Sequence, residues 1–253
     1  WELTKLKQAL SASQASVARE GWYPIYFENH DRARSVNYFF PHGGDTRLAA
    51  KALATVLLTL RGTPFIYEGE ELGMTNVCWE SIDDYDDISS HGQYELALKE
   101  GFSPAEAMRF VHFNSRDNAR TPMQWNDGEN AGFTTEIPWL PANENYRTIN
   151  AAAEEKEADS VLSYYKKLIH LRKTNSVLLN GVYEELLAES EQIYAFSRTE
   201  GNCRVVVAVN FSVEEAALPT DFLKGTCLIG SYADAPHTAL RPLEAVVYEE
   251  EVG

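Results

Sequence analysis

Trp22-Tyr23-Pro24-Ile25-Tyr26-Phe27-Glu28-Asn29-His30-Asp31 is an uncharged, aromatic-rich run that breaks abruptly into polar and ionisable groups. This is the pattern of a buried strand whose carboxyl end opens into a site. Pro24, the aromatic content and the sharp polar stop favour strand over buried helix. Upstream, Leu3, Leu6, Leu10 and Val17, with Lys5, Lys7 and Gln8 between them, predict an amphipathic helix over residues 3–19. Downstream, Asp45-Thr46 is a candidate N-cap for a helix over residues 47–61, dense enough in Ala and Leu to be buried along most of its circumference. Gly62-Thr63-Pro64 closes that helix, and Phe65-Ile66-Tyr67 reads as a second short buried strand, followed by Glu68, Glu70 and Glu71. Helix, strand, helix, strand with short connections indicates an α/β fold with a parallel sheet, either doubly wound or closed as a barrel. In both, sites lie at the carboxyl ends of the strands.

From residue 72 to about 158 the chain turns to Gly, Asn, Asp, Pro and Trp, with short helical pieces such as Pro104 to Phe113. A segment of that length between core elements reads as a functional excursion. Glu154 to Asp159 reads as a solvated charge run leading into a helix with Val161, Leu162, Tyr165, Leu168, Ile169 and Leu171. After Lys173 the apolar period falls to two, as in Ile193 to Phe196 and Arg204 to Val209, and glycines separate the runs. This predicts a small antiparallel β-sandwich of its own. The expected division is residues 1–175, α/β with the long excursion, and 176–253, all-β. The second part carries thirteen Asp or Glu against four Lys or Arg.

A formal charge of −16 over 253 residues argues against nucleic acid, whose phosphates need clustered Lys and Arg. A neutral, polyhydroxylated substrate fits better. No apolar run approaches the roughly 20 residues of a membrane span, and no signal peptide opens the chain. Cys78, Cys203 and Cys227 are odd in number and without CxxC or His company, which predicts buried, reduced thiols and a cytoplasmic setting.

Two clusters can carry chemistry. Glu28, Asn29, His30, Asp31, Arg32 and Arg34 crowd the first strand-to-loop junction. A carboxylate there can accept paired hydrogen bonds from sugar hydroxyls or stabilise developing positive charge, although Asn-His-Asp is also good turn chemistry. Asn114-Ser115-Arg116-Asp117-Asn118-Ala119-Arg120-Thr121-Pro122-Met123-Gln124-Trp125 brings two guanidinium groups, carboxamides, an Asp and an indole together. It can supply forks for carboxylates and a flat face for a pyranose ring, or be a loop tied by Arg to backbone bonds.

Phe27 to Asp31 resembles the last catalytic segment of the alpha-amylase superfamily, glycoside hydrolase family 13, at the end of barrel strand seven. Thr63 to Met74 is similar to strand eight and its loop. Ser115 to Trp125, Asn130 to Phe133, Pro138-Trp139, Asn150 and the terminal Arg241-Pro242, Glu244-Ala245 and Val247-Tyr248 resemble the oligo-1,6-glucosidase and alpha-glucosidase branch. The resemblance spans nearly the whole chain. It implies the carboxyl-terminal part of a (β/α)8 TIM barrel, its last helices and strands seven and eight, followed by a small antiparallel β-sandwich.

The resemblance also implies roles. Asp31 is the third catalytic carboxylate, the transition-state stabiliser, and His30 hydrogen-bonds the same terminal glucose. Arg116 closes the pocket, Arg120 lies nearer the entrance, and Glu28 and Asn29 support substrate binding. The nucleophile and acid/base of the retaining reaction, about 5 to 5.5 Å apart, belong to strands four and five, which nothing here matches. The chain alone is therefore expected to be inactive, with large apolar faces exposed, and to need the amino-terminal part of the barrel or self-association. No organic cofactor is implied, and the branch's metal sites lie upstream. The parent activity implied is an exo-acting alpha-glucosidase on short oligosaccharides. A transglycosylating relative (sucrose isomerase, trehalose synthase or dextran glucosidase) and a non-catalytic, amylase-like transporter chaperone are the alternatives. One departure bears on linkage specificity: the branch's Gln-Pro-Arg after Asn-His-Asp is here Arg32-Ala33-Arg34.

Overall fold

The structure, a computed structural model, describes residues 1–16, 21–41, 43–234 and 238–252. In chain order the elements are α1 (Leu3–Ser16), β1 (Pro24–Ile25), α2 (Ser35–Phe39), α3 (Thr46–Thr59), β2 (Thr63–Pro64), α4 (Ile88–Lys99), α5 (Pro104–Asn114), α6 (Ala151–Glu154), α7 (Val161–Thr174) and α8 (Ser176–Asn180). They continue with β3 (Val182–Leu186), β4 (Ile193–Glu200), β5 (Cys203–Asn210), β6 (Ala216–Ala217), β7 (Thr226–Gly230), β8 (Ala239–Leu240) and β9 (Ala245–Glu251). Two compact units form: Trp1–Tyr26 with His42–Phe65 and Tyr164–Gly253, and Phe27–Pro41 with Ile66–Ser163.

In the first unit, α3 is the buried helix that its composition predicts. Asp45 caps it, accepting from the N–H groups of Arg47 at 2.8 Å and Leu48 at 3.3 Å, and every residue from Ala49 to Thr59 is buried. Its carboxyl end leaves carbonyls without helical partners. Arg172 donates to Leu58 O and Leu60 O, both at 2.8 Å, and Arg198 to Thr59 O at 2.9 Å. Two cations at the negative end of the helix dipole make this closure favourable.

β1 and β2 pair in parallel, Pro24 with Thr63 and Ile25 with Pro64. Gly62 makes the approach possible: its φ is +140°, and a Cβ there would stand 2.2 Å from Tyr23 O. The expectation of two buried strands is corrected here. Of the first expected strand only Pro24 and Ile25 are strand, β2 falls at Thr63–Pro64 just before the expected Phe65-Ile66-Tyr67, and Trp22, Tyr26 and Phe65 are 49%, 54% and 56% exposed. Among the described residues β1 and β2 have no further strand beside them, so the aromatic rings of Trp22, Tyr26 and Phe65 face solvent.

The expected antiparallel strands are present, in the order β3-β4-β5-β9-β7 with a two-stranded ribbon of β6 and β8. Ile193, Ala195, Ala208, Val246 and Tyr248 pack with Ala216 and Leu240 of that ribbon. Helices α3 and α8 pack against β4, β5 and β9. That is why both faces of β4 and β5 are largely buried. Helix α1 is corrected too: Lys7, expected on its polar side, is buried and donates to Leu187 O at 2.8 Å and Ser190 O at 2.7 Å. Val17 lies outside the described residues.

The second unit holds the excursion. α5 starts with Ser103 and Glu106 in a reciprocal capping box and Pro104 in the first turn. It packs on α4, with Val77, Tyr85, Met108 and Val111 at the centre of the local core. Within the expected solvated run, Glu154 is buried and its carboxylate accepts from Leu162 N at 2.9 Å. The cysteines are free but not buried: Cys78 and Cys203 are exposed and Cys227 half-buried.

Candidate active site

The segment from Glu28 to Ser35 folds as a turn around a buried carboxylate. Glu28 accepts from Arg34 Nη1 at 3.0 Å, Ser35 N at 2.7 Å and Ser35 Oγ at 2.6 Å. Arg34 also donates to Glu68 O at 2.7 Å and Asn118 O at 3.1 Å. Glu28 is thus buried beneath the site, its carboxylate held by Arg34 and Ser35. Asn29 is likewise engaged in the turn, its Oδ1 accepting from Asp31 N at 2.8 Å. Of the two arginines in the departure, Arg34 is a core group and Arg32 is exposed.

This turn presents His30 and Asp31 to solvent, with their side chains 71% and 50% exposed. His30 Nε2 lies 3.2 Å from Asp31 Oδ2. Both arginines of the second cluster converge on the other oxygen. Arg120 Nη2 is 3.1 Å and Arg116 Nη1 3.5 Å from Asp31 Oδ1, and Arg120 Nε donates to His30 O at 3.0 Å. A carboxylate has about four acceptor positions, so Asp31 keeps capacity for ligand hydroxyls.

The loop carrying the arginines is pinned from several sides. Tyr67 OH donates to Ala119 O at 3.0 Å, and Asn118 Oδ1 accepts from Val77 N at 2.9 Å. Two carboxylates given no role by the sequence complete the cluster. Asp87 accepts from Arg116 Nε at 3.0 Å, from Arg116 Nη2, and from Arg116 N at 3.3 Å. Burial pushes the Asp87 carboxyl up, but hydrogen bonds from the Arg116 side chain and the Ser89 and Arg116 backbones outweigh it and hold it down at about 2. Asp117, fully buried, accepts from Asp86 N and Asp87 N at 2.8 Å each, and its other oxygen lies 3.8 Å from Arg120 Nη1. An Asp directly before the helical run from Ile88 is an N-cap signal, and Asp87 does accept from Ser89 N at 3.1 Å. Its reach to Arg116 has no such local signature.

Trp139 donates its indole N–H to Asp86 Oδ2 at 2.9 Å, and both Trp139 and Trp125 are exposed rather than packed under loops. Among the described residues no group of three or more His, Cys, Asp or Glu could hold a metal ion, and no helix is long and apolar enough to cross a membrane.

The alpha amylase catalytic-domain family matches residues 1–181. The chain belongs to that family. It is 42% identical over 259 residues to the oligo-1,6-glucosidase of Parageobacillus thermoglucosidasius, covering 98% of this chain and 46% of that protein. It is 36% identical over 258 residues to the trehalose-6-phosphate hydrolase of Bacillus subtilis, covering 98% and 46%. Among solved structures, isomaltulose synthase from Klebsiella sp. LX3 superposes with a TM-score of 0.89 at 41% identity, over 98% of this chain and 46% of that one. The chain therefore spans about half the length of the curated relatives it matches. The helices and antiparallel sheet fit part of a TIM-barrel enzyme with its β domain.

Proposed function

We propose that these 253 residues are the carboxyl-terminal part of a retaining, exo-acting α-glucosidase that removes terminal α-linked glucose from short oligosaccharides, of the oligo-1,6-glucosidase type. The observation that carries this reading is the convergence of Arg116, Arg120 and His30 on Asp31. Asp31 grips hydroxyls of the terminal glucose and stabilises the positive charge that develops on the ring as the glycosidic bond breaks. His30 hydrogen-bonds the same ring, Arg116 closes the pocket and Arg120 borders its entrance. The nucleophile and the acid/base come from residues outside these 253.

The partner is the remainder of the barrel, which would cover Trp22, Tyr23, Tyr26 and Phe65, an exposed aromatic group beside a ladder of β1 and β2 that has no further strand among the described residues. Self-association over the same face is the alternative, and the free thiols favour a reducing compartment, the cytoplasm.

Incubating the full-length protein and the isolated chain with a chromogenic α-glucoside tests the reading. Turnover by the full-length protein alone is expected, and turnover by the pure fragment overturns the division of labour. A second reading, a transglycosylating enzyme, is favoured by the likeness to isomaltulose synthase at 41% identity. Products from sucrose, maltose and isomaltose separate the two: glucose release supports hydrolysis, and new disaccharides from sucrose support transfer. A non-catalytic chaperone is disfavoured by the intact Asp31 cluster.

A further inference from the structure

Arg116 stands at the solvent-facing side of the site, its side chain 35% exposed, and touches Asp31 through Nη1 alone. A long, partly solvated guanidinium populates many rotamers unless its fork is held. Asp87 is placed to hold it. Its carboxylate takes Nε and Nη2, the edge of the guanidinium that does not contact Asp31, and leaves Nη1 free to reach it.

Asp87 itself has little freedom. Its side chain is 1% exposed, and it accepts from Ser89 N at 3.1 Å and Arg116 N at 3.3 Å, with Ser90 Oγ 3.3 Å away. Its backbone is fixed by Asp117, which also stands beside Arg120. Three carboxylates (Asp31, Asp87 and Asp117) therefore face two guanidinium groups. A clamp so neutralised has no surplus positive charge with which to attract an anionic sugar, and it suits uncharged hydroxyls.

We propose that Asp87 is the positioning residue that aims Arg116 at Asp31 and cancels its charge, making the pocket selective for neutral sugars. The inference rests on the α-glucosidase reading and names a determinant of that same site. A purely structural role, capping α4, would also make Asp87 matter, so the test must separate aim from folding.

The full-length protein is compared with Asp87→Ala, Asp87→Asn, Arg116→Ala and the Asp87→Ala/Arg116→Ala double variant, using p-nitrophenyl α-glucoside. Loss of aim in Asp87→Ala is expected to raise KM about tenfold to a hundredfold, with kcat changed far less. Asp87→Asn, which keeps an acceptor and the cap but not the charge, falls between and stands in should Asp87→Ala fail to fold. In the Arg116→Ala background the Asp87 substitution is expected to add nothing beyond about twofold, because the group it aims is gone. An equal, additive loss with and without Arg116 overturns the proposal. Should the wild-type protein hydrolyse no α-glucoside, the functional reading fails, and a crystal structure of the Asp87 variant decides the positioning claim. Arg116 drawn away from Asp31 supports it, and Arg116 Nη1 still at its 3.5 Å separation overturns it.

Discussion

The Arg34 guanidinium and the Glu28 carboxylate meet at 3.0 Å with both side chains sealed from solvent. Removing one partner of such a pair strands the other as a buried, uncompensated charge, which costs about 3 to 5 kcal/mol. Glu28→Gln is expected to lower the denaturant midpoint accordingly, with Glu28→Gln/Arg34→Met recovering much of the loss. KM of the protein that remains folded should stay unchanged. A raised KM in Glu28→Gln at full folding would return this residue to the substrate.

Asp31 lies half-exposed in front of two guanidinium groups and an imidazole. On the proposed α-glucosidase reading, Asp31→Asn keeps the shape and removes the charge that would meet the developing cation. In the full-length enzyme kcat is expected to fall about a thousandfold or more, with the melting temperature near that of wild type. Steady-state kinetics beside a thermal melt checks both halves of this statement.

Acid should loosen the Arg116 loop through Asp87. Its folded carboxyl sits at about 2, below the ordinary value of 3.8. A lowered folded value means that the contribution is complete above the unfolded value and is lost as pH falls from about 4 towards 2. The difference corresponds to about 2 kcal/mol. Denaturation curves at pH 6, 4, 3 and 2 should steepen in that window for wild type and flatten for Asp87→Asn.

Gly62→Ala tests the junction of β1 and β2. The left-handed φ of +140° and the 2.2 Å approach to Tyr23 O leave no room for a methyl group. Its insertion displaces the 2.8 Å bond from Thr63 N to Tyr23 O. A loss of about 3 kcal/mol or more is expected by chemical denaturation, whereas Gly201→Ala, also at positive φ but with nothing within 4 Å, costs less.

Local signals were read directly from the sequence. Asp45 before Thr46, the short helical piece from Pro104, and the Ala- and Leu-rich run of α3 each act within a few residues, and each appears as expected. The family resemblance placed Arg116 and Arg120 at the same pocket as Asp31, and their ion pairs with its carboxylate come from the structure. What escaped depends on partners far along the chain. A carboxylate at a strand's polar end looks the same whether it faces water, as Asp31 does, or an arginine beneath, as Glu28 does. Lys7 looked like a surface lysine because its acceptors lie some 180 residues away. Asp87 showed its cap and hid its second partner, Arg116, 29 residues on. The aromatic strands were read as buried from composition, yet burial needs neighbours, and β1 and β2 have only each other among the described residues.

Arg120 reaches back across 90 residues to hold His30. A tie of that span is expected to close late, after the α4 and α5 hairpin forms between its ends, because chain closure is unfavourable until local structure shortens the path. Until then Asp31 is an ordinary surface carboxylate on a short turn. On the proposed reading, sugar affinity would report assembly order, and it is expected to be the last property gained on refolding and the first lost when the excursion frays.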